Sequence, residues 1–219
     1  MVHCKYRAII FDFDGVLVES VDIKNQAYAE LYKEYGPEVV DKVILYDLLH
    51  GGLSRFQKIR YYHQKILKKE LSQLEEIRLG EWFSLLVEQA VVDAPWVPGV
   101  LEFLDTYAGV MDFYIASGTP EEELRPITKA REIAHYFKGV YGSPQTKAEI
   151  ISKILSRSGL LAEEVVRVGD SITDYESAAT AGVAFVGRLV NAQESFLPAS
   201  IIKIKDFTDQ TGLLRALFL

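Results

Sequence analysis

The sequence predicts an α/β fold: a Rossmann-like parallel sheet with helices on both faces, plus an inserted α-helical cap domain. Short runs rich in Val, Ile, Phe and Tyr alternate with stretches of helical periodicity, the order in which parallel strands and their crossover helices occur. From about Ser20 to Val92 that alternation stops, and apolar residues recur at helical spacing only. Acids, hydroxyls and glycines gather where the strands end, the carboxyl edge at which open α/β sheets bind ligands.

The first strand is expected over Tyr6–Phe13, whose core Ala8-Ile9-Ile10-Phe11 is wholly apolar. Then comes the insert of about four helices, marked by Ala27, Leu31 and Tyr35, by Leu67, Leu71 and Leu74, and by Trp82, Leu85 and Leu86. Gly15–Val18 leads into it and Pro95-Trp96-Val97-Pro98-Gly99 leads out, while Gly36-Pro37 and His50-Gly51-Gly52 mark turns inside. The expected division is 1–17 and 96–219 for the α/β domain and 18–95 for the helical one. Further strands are expected at Asp112–Ser117, Gly139–Gly142, Val165–Gly169, Val183–Val186 and Ile201–Ile204. Helices are expected near Glu121–Ala134, Lys147–Ser158, Tyr175–Ala181 and Thr208–Phe218.

Composition narrows the function. The chain has 219 residues, 49% hydrophobic and 25% charged, which suffices for a buried core. A net charge of -7 argues against a general binder of nucleic acid or anionic membrane, because both need a positive field. Apolar runs such as Ala8–Phe11 and Leu213–Leu219 are too short to span a bilayer. Met1–Lys5 runs straight into the first strand without a signal peptide's apolar stretch, so a cytoplasmic location is expected. The single Cys4 is read as a passive thiol in a reducing compartment.

The chemistry lies at the strand ends. Asp12 and Asp14, two like charges at the mouth of the core, disfavour each other's ionisation unless a cation or a reaction compensates. The second strand ends in Ala116-Ser117-Gly118-Thr119, with a hydroxyl and a glycine exposed at the following turn. The fourth ends in Gly169-Asp170-Ser171-Ile172-Thr173-Asp174, with carboxylates four residues apart. Lys147 stands at a helix start, where the macrodipole disfavours a cation unless it faces an anion. Four carboxylates call for a hard divalent ion such as Mg²⁺, and lysine, hydroxyl and amide donors suit a phosphoryl group. Read alone, Ser117–Thr119 is an ordinary turn; the bland alternatives for Asp170 and Asp174 are a helix cap and a surface helix residue.

"DFDGVL", "ASGT", Lys147 and "GDSITD" together resemble the four ordered motifs of the haloacid dehalogenase-like phosphohydrolases, across Phe11 to Asp174. The insert between the first two motifs is similar to the helical cap of the phosphoglycolate phosphatase and β-phosphoglucomutase branch. The resemblance implies that Asp12 attacks phosphorus to form an aspartyl-phosphate and that Asp14 acts as acid, then base. It also implies Mg²⁺ on the Asp12 carboxylate, the Asp14 backbone carbonyl and Asp170, with Asp174 nearby. Ser117, Gly118 or Thr119 and Lys147 would hold the phosphoryl oxygens. In the cap, Gly51-Gly52-Leu53-Ser54-Arg55 resembles the loop with which β-phosphoglucomutases bind substrate. On that likeness Gly51, Gly52 and Arg55 are expected to contact the leaving group. Lys58 and Arg60 read as a solvated face, and Tyr61, Tyr62, Trp82 and Phe83 as cap core.

The expected activity is hydrolysis of a small phosphorylated metabolite, a sugar phosphate or a phosphoglycolate-like acid. A phosphomutase is the alternative, but those enzymes carry a histidine where this chain has Lys24, and Glu-Asp where it has Gly169-Asp170. Asp14 counts against dehalogenase and phosphonate-cleaving chemistry, whose enzymes lack that acid. A non-catalytic binding module is disfavoured because every motif residue is present. The sequence leaves the oligomeric state open, with nothing against a monomer.

Overall fold

The structure, a computed structural model, describes residues 5–190 and 197–217. Cys4, and Phe218 at the expected end of the last helix, lie outside the described residues. Six strands form one sheet in the order β3-β2-β1-β4-β5-β6: β1 Ala8–Phe11, β2 Asp112–Pro120, β3 Phe137–Ser143, β4 Val165–Gly169, β5 Ala184–Arg188 and β6 Ile202–Ile204. Every pairing is parallel. β1 lies between β2 and β4, so the carboxyl ends of these three strands share one edge.

Side chains alternate across each strand, and both faces of β1 are buried. Ile9 and Phe11 enter one apolar layer, Ala8 and Ile10 the other. The Phe11 ring meets Phe113, Phe137 and Phe103 edge-on at 5.4, 6.2 and 6.3 Å, each contact worth about 0.5–1.5 kcal/mol beyond its buried area.

Between β1 and β2 lie α1 Val21–Tyr32, α2 Pro37–Leu49, α3 Arg55–Tyr61, α4 Gln73–Asp93 and α5 Val100–Tyr107. The first four form the expected helical insert. A π-helical turn over Tyr62–Leu67 prolongs α3 until Lys68 takes a left-handed φ of 53°. The remaining helices are α6 Glu121–Ala130, α7 Lys147–Ser158, α8 Ile172–Ala181 and α9 Gln210–Leu217. Residues of α7 and α8 cover the Ala8 face; those of α5, α6 and α9 cover the Phe11 face.

Most strand ends shift by one to three residues from expectation, β1 for instance running Ala8–Phe11 rather than Tyr6–Phe13, and three helices differ by three residues or more. The helix α5 was not anticipated, although Val100, Phe103 and Leu104 supply a buried stripe; the Pro-Gly before it reads as a hinge. α6 stops at Ala130 because Glu132 turns left-handed, with φ 60°. α8 begins at Ile172, three residues early, because Ser171 accepts the Asp174 amide in a capping box.

The two linkers of the insert run side by side. Val18 bridges Trp96 antiparallel, the Val97 amide donates to Leu17 O at 3.0 Å, and the Glu19 amide to Pro95 O at 2.9 Å. Insert residues Tyr28, Tyr32, Tyr62 and Phe83 belong to the same buried cluster as Phe11 and Val168. One apolar cluster therefore runs from the helical layer into the sheet.

Candidate active site at the carboxyl edge of the sheet

Asp12 follows β1 directly. Its amide donates to Val168 O at 2.9 Å, extending the ladder by one residue, and its carboxylate accepts from the Phe13 amide at 2.7 Å and from Lys147 Nζ at 2.6 Å. Lys147 also donates to Asp174 Oδ1 at 2.6 Å. All three side chains are buried. The lysine's place at the start of α7 thus has a reason: it faces two carboxylates.

Asp174 is not a surface helix residue but fully buried. Its Oδ1 accepts from Lys147 and Arg167, and its Oδ2 from Ser171 Oγ at 2.5 Å. Burial alone would raise its pKa, but the Lys147 and Arg167 charges outweigh it and hold the carboxyl far below the usual range. Burial and the Asp174 charge push Asp12 up to about 6. Burial, with Asp174 and Asp12 behind it, raises Asp170 well above its ordinary value.

One oxygen from each of Asp12, Asp170 and Asp174 lies within 4.8 Å of the others. Among the described residues Asp170 has no ion-pair partner, and the three acids face only Lys147 and Arg167. Crowded hard oxygens, two of them on carboxyls with raised pKa values, are the donor set of a divalent cation, so the residues fit one. Gly15 makes room for this cluster: its φ is +71°, and a Cβ there would lie 2.2 Å from Asp170 Oδ2.

The Asp14 side chain turns away from the cluster. It accepts from Ser20 Oγ at 2.6 Å, from Thr119 Oγ1 at 2.9 Å and from Lys24 Nζ. Lys24 also donates to Thr119 Oγ1 at 2.9 Å. Burial opposes ionisation, but Lys24 and the hydroxyls prevail, and the Asp14 pKa lies below its ordinary value. As held here, Asp14 is in the form that accepts a proton.

Ser117–Thr119 lies within β2, not in a turn after it. Ser117 and Thr119 are buried and only Gly118 is half-exposed, at a register shift against β3. The Thr119 amide donates to Ser117 Oγ at 3.1 Å.

The cap loop closes over this strand. A Cβ on Gly118 would meet Gly52 O at 3.0 Å; one on Gly52 would meet Thr173 Oγ1 at 1.8 Å and Lys147 Nζ at 2.8 Å. Gly51 and Gly52 are thus brought to the site. Arg55 also lines the cavity beside Asp12 and Asp14, but its guanidinium is engaged by Glu123 of α6, Ser84 and Gly80 O. Lys58 is buried against Asp47 rather than solvated, whereas Arg60 is exposed and pairs with Glu76. Tyr62 and Phe83 are buried in the cap core, but Trp82 is 42% exposed.

Three spaces adjoin the centre, one of them a cleft of about 220 Å³ along Gly52, Ser117, Gly118 and Lys147. The one between Asp12, Ser117 and Arg55 is about 30 Å³, room for a water only. A cavity of about 450 Å³ runs outward from Asp14 and Asp170 beneath α2. Sequence reasoning missed Arg167, Ser171 and Glu123, and met Lys24 only as a departure from the mutases. An arginine inside the apolar strand Val165–Gly169 was the one available signal.

The matches to known proteins agree with this geometry. Residues 9–188 match the family model described as haloacid dehalogenase-like hydrolase. The chain belongs to that family. A phosphorylated carbohydrates phosphatase from Thermotoga maritima is 24% identical over 191 residues, covering 85% of this chain and 86% of the relative. A phosphoglycolate phosphatase from Pseudomonas fluorescens is 27% identical, covering 83% and 68%. Among solved structures, CbbY from Rhodobacter sphaeroides in complex with phosphate superposes with a TM-score of 0.74 at 17% identity, covering 95% and 99%. A predicted phosphoglycolate phosphatase from Haemophilus somnus gives 0.72 at 22%, covering 94% and 96%. As a haloacid dehalogenase-like hydrolase whose curated relatives are phosphatases, the chain is an enzyme. No helix among its described residues is long and apolar enough to cross a membrane.

Proposed function

We propose that the chain is a Mg²⁺-dependent phosphatase of small phosphorylated metabolites, sugar phosphates or phosphoglycolate-like acids, working through an aspartyl-phosphate. The observation that carries this is the Asp12–Lys147–Asp174 network beside Asp170, with Asp14 set apart on its own partners. Two acids in separate environments suit two roles, a nucleophile and a proton carrier.

In this reading Asp14 first takes up a proton from solvent; Asp12 then attacks phosphorus, and the bond to the leaving oxygen breaks as that oxygen takes this proton from Asp14. Asp14 then takes a proton from the water that attacks phosphorus, and the Asp12–phosphorus bond breaks. Lys147, Ser117 and the amides around Gly118 and Thr119 hold the transferring oxygens. Asp12, Asp170, Asp174 and the Asp14 carbonyl would hold Mg²⁺, which supplies charge for the phosphoryl oxygens. Residues 18–95 would act as a lid on a core of 1–17 and 96–219, excluding bulk water.

The test is phosphate release from a panel of phosphorylated metabolites, with Mg²⁺ and with EDTA. Mg²⁺-dependent release is expected; interconversion of sugar phosphates without release would establish the mutase instead.

A further inference from the structure

The leaving group's surroundings carry an inference about substrate class that rests on the phosphatase reading above. Four cations line the smallest and the largest of the three spaces at the centre: Arg55, Lys24, Lys58 and Arg188. A leaving group with a second phosphate or a carboxylate would need one of them. Each already holds a carboxylate of the protein.

Lys24 is on Asp14, Lys58 on buried Asp47, and Arg188 binds both oxygens of Glu19 while also donating to Gly15 O at 3.0 Å. Arg55 is the most thoroughly engaged. Its Nη1 donates to Glu123 Oε1 at 3.0 Å and to Gly80 O at 3.3 Å, its Nη2 to Glu123 Oε2, and Phe83 lies 4.8 Å beneath its plane. Ser84 Oγ fixes the same Glu123 oxygen at 2.8 Å. The fork that would take a second anion is filled, bidentately, by an acid from the other side of the cleft. The larger cavity is walled by Leu45, Leu48 and Ile172, and Asp22 is on its lining. Its volume of about 450 Å³ suits a sugar-sized group, and nothing among its described residues offers an unpaired cation.

We propose that Glu123 is a specificity-determining residue: by occupying the Arg55 fork it selects phosphomonoesters whose leaving group is uncharged, a sugar or polyol, against those with a second anion. When the cap closes over substrate, a second anion must compete with Glu123 for Arg55 and leave one half-buried carboxylate without its partner. A hydroxyl-rich leaving group meets no such conflict.

The experiment compares kcat/KM within two matched pairs in the presence of Mg²⁺. These are fructose 1-phosphate against fructose 1,6-bisphosphate, and ethylene glycol monophosphate against 2-phosphoglycolate. The wild type should favour the uncharged member of each pair by about tenfold or more. Glu123→Gln should narrow both ratios about tenfold through a lower KM for the doubly anionic member, and Arg55→Met in that background should abolish the gain. A merely structural Glu123 would lower both members of a pair alike, which overturns the proposal. So does a wild type that prefers the bisphosphate and 2-phosphoglycolate, a result needing no variant to fold. Absence of release from every probe, p-nitrophenyl phosphate included, would instead sink the phosphatase reading and this inference with it.

Discussion

At the scale of single residues, the site separates its acids by partner. Asp12→Asn should abolish turnover while leaving the thermal transition near that of the wild type, because the amide still fills the space and its oxygen still accepts from Phe13, while Lys147 keeps Asp174. Residual turnover of a tenth or more would exclude the aspartyl-phosphate. Asp14 offers a finer test through Lys24. With an aryl phosphate, whose leaving group needs no proton, Asp14 matters as the base of the second step. Its pKa is held down by Lys24, so the base form persists into acid. Removing the ammonium in Lys24→Met lets that pKa rise, and the acidic limb of kcat should move to higher pH; Lys24→Arg should leave it in place. A limb that does not move would detach Lys24 from this role. Gly52→Ala should raise KM and lower kcat together, about tenfold, because its Cβ would collide with Thr173 and Lys147 as the loop seats.

At the scale of elements, Arg131 ties the insert to the core. From the end of α6 it donates to Val91 O and Ala94 O at 2.8 Å, and to Val92 O, carbonyls at the end of α4 where intrahelical partners run out, and its guanidinium stacks 3.7 Å over Trp96. Arg131→Ala should cost about 1.5–3 kcal/mol, read by denaturant unfolding, with a smaller effect if water replaces the bonds. How legible such elements are depends on whether their signal is local. The six strands and the helical insert announce themselves by periodicity, and the four motifs by residue type at strand ends. The partners are different. Arg167 meets Asp174 across a strand-to-helix turn, Glu123 meets Arg55 from 68 positions away, and Lys24 meets Thr119 across 95. Nothing local marks those pairings, since any exposed Glu on the acidic first turn of α6 looks alike in the sequence. α5 failed for the opposite reason: its helical stripe was present, but Pro98-Gly99 masked it as part of a hinge.

At the scale of the whole molecule, the acidic cluster links stability, pH and metal. Asp12 has a folded pKa of about 6, above its ordinary 3.8. Between those values the unfolded chain has released a proton that the folded one keeps, so this group's contribution falls as pH rises through 6. Asp170 shifts the same way, while Asp174 shifts downward and contributes stability that is lost only on acidification. In the absence of a cation, the folded protein above pH 6 therefore holds an ionised Asp12 that burial and the Asp174 charge disfavour. A divalent ion binds the cluster's ionised form and must displace protons below pH 6. The rise in Tm on adding saturating Mg²⁺ should accordingly be several degrees at pH 7.5 and much smaller at pH 5, measured by differential scanning fluorimetry against an EDTA control. Asp170→Asn should remove most of the rise at pH 7.5, since one of the three clustered oxygens then carries no charge. An Mg²⁺-induced shift equal at both pH values would mean that the ion binds elsewhere, and the two-acid mechanism would have to proceed without a metal at the carboxyl edge of β1.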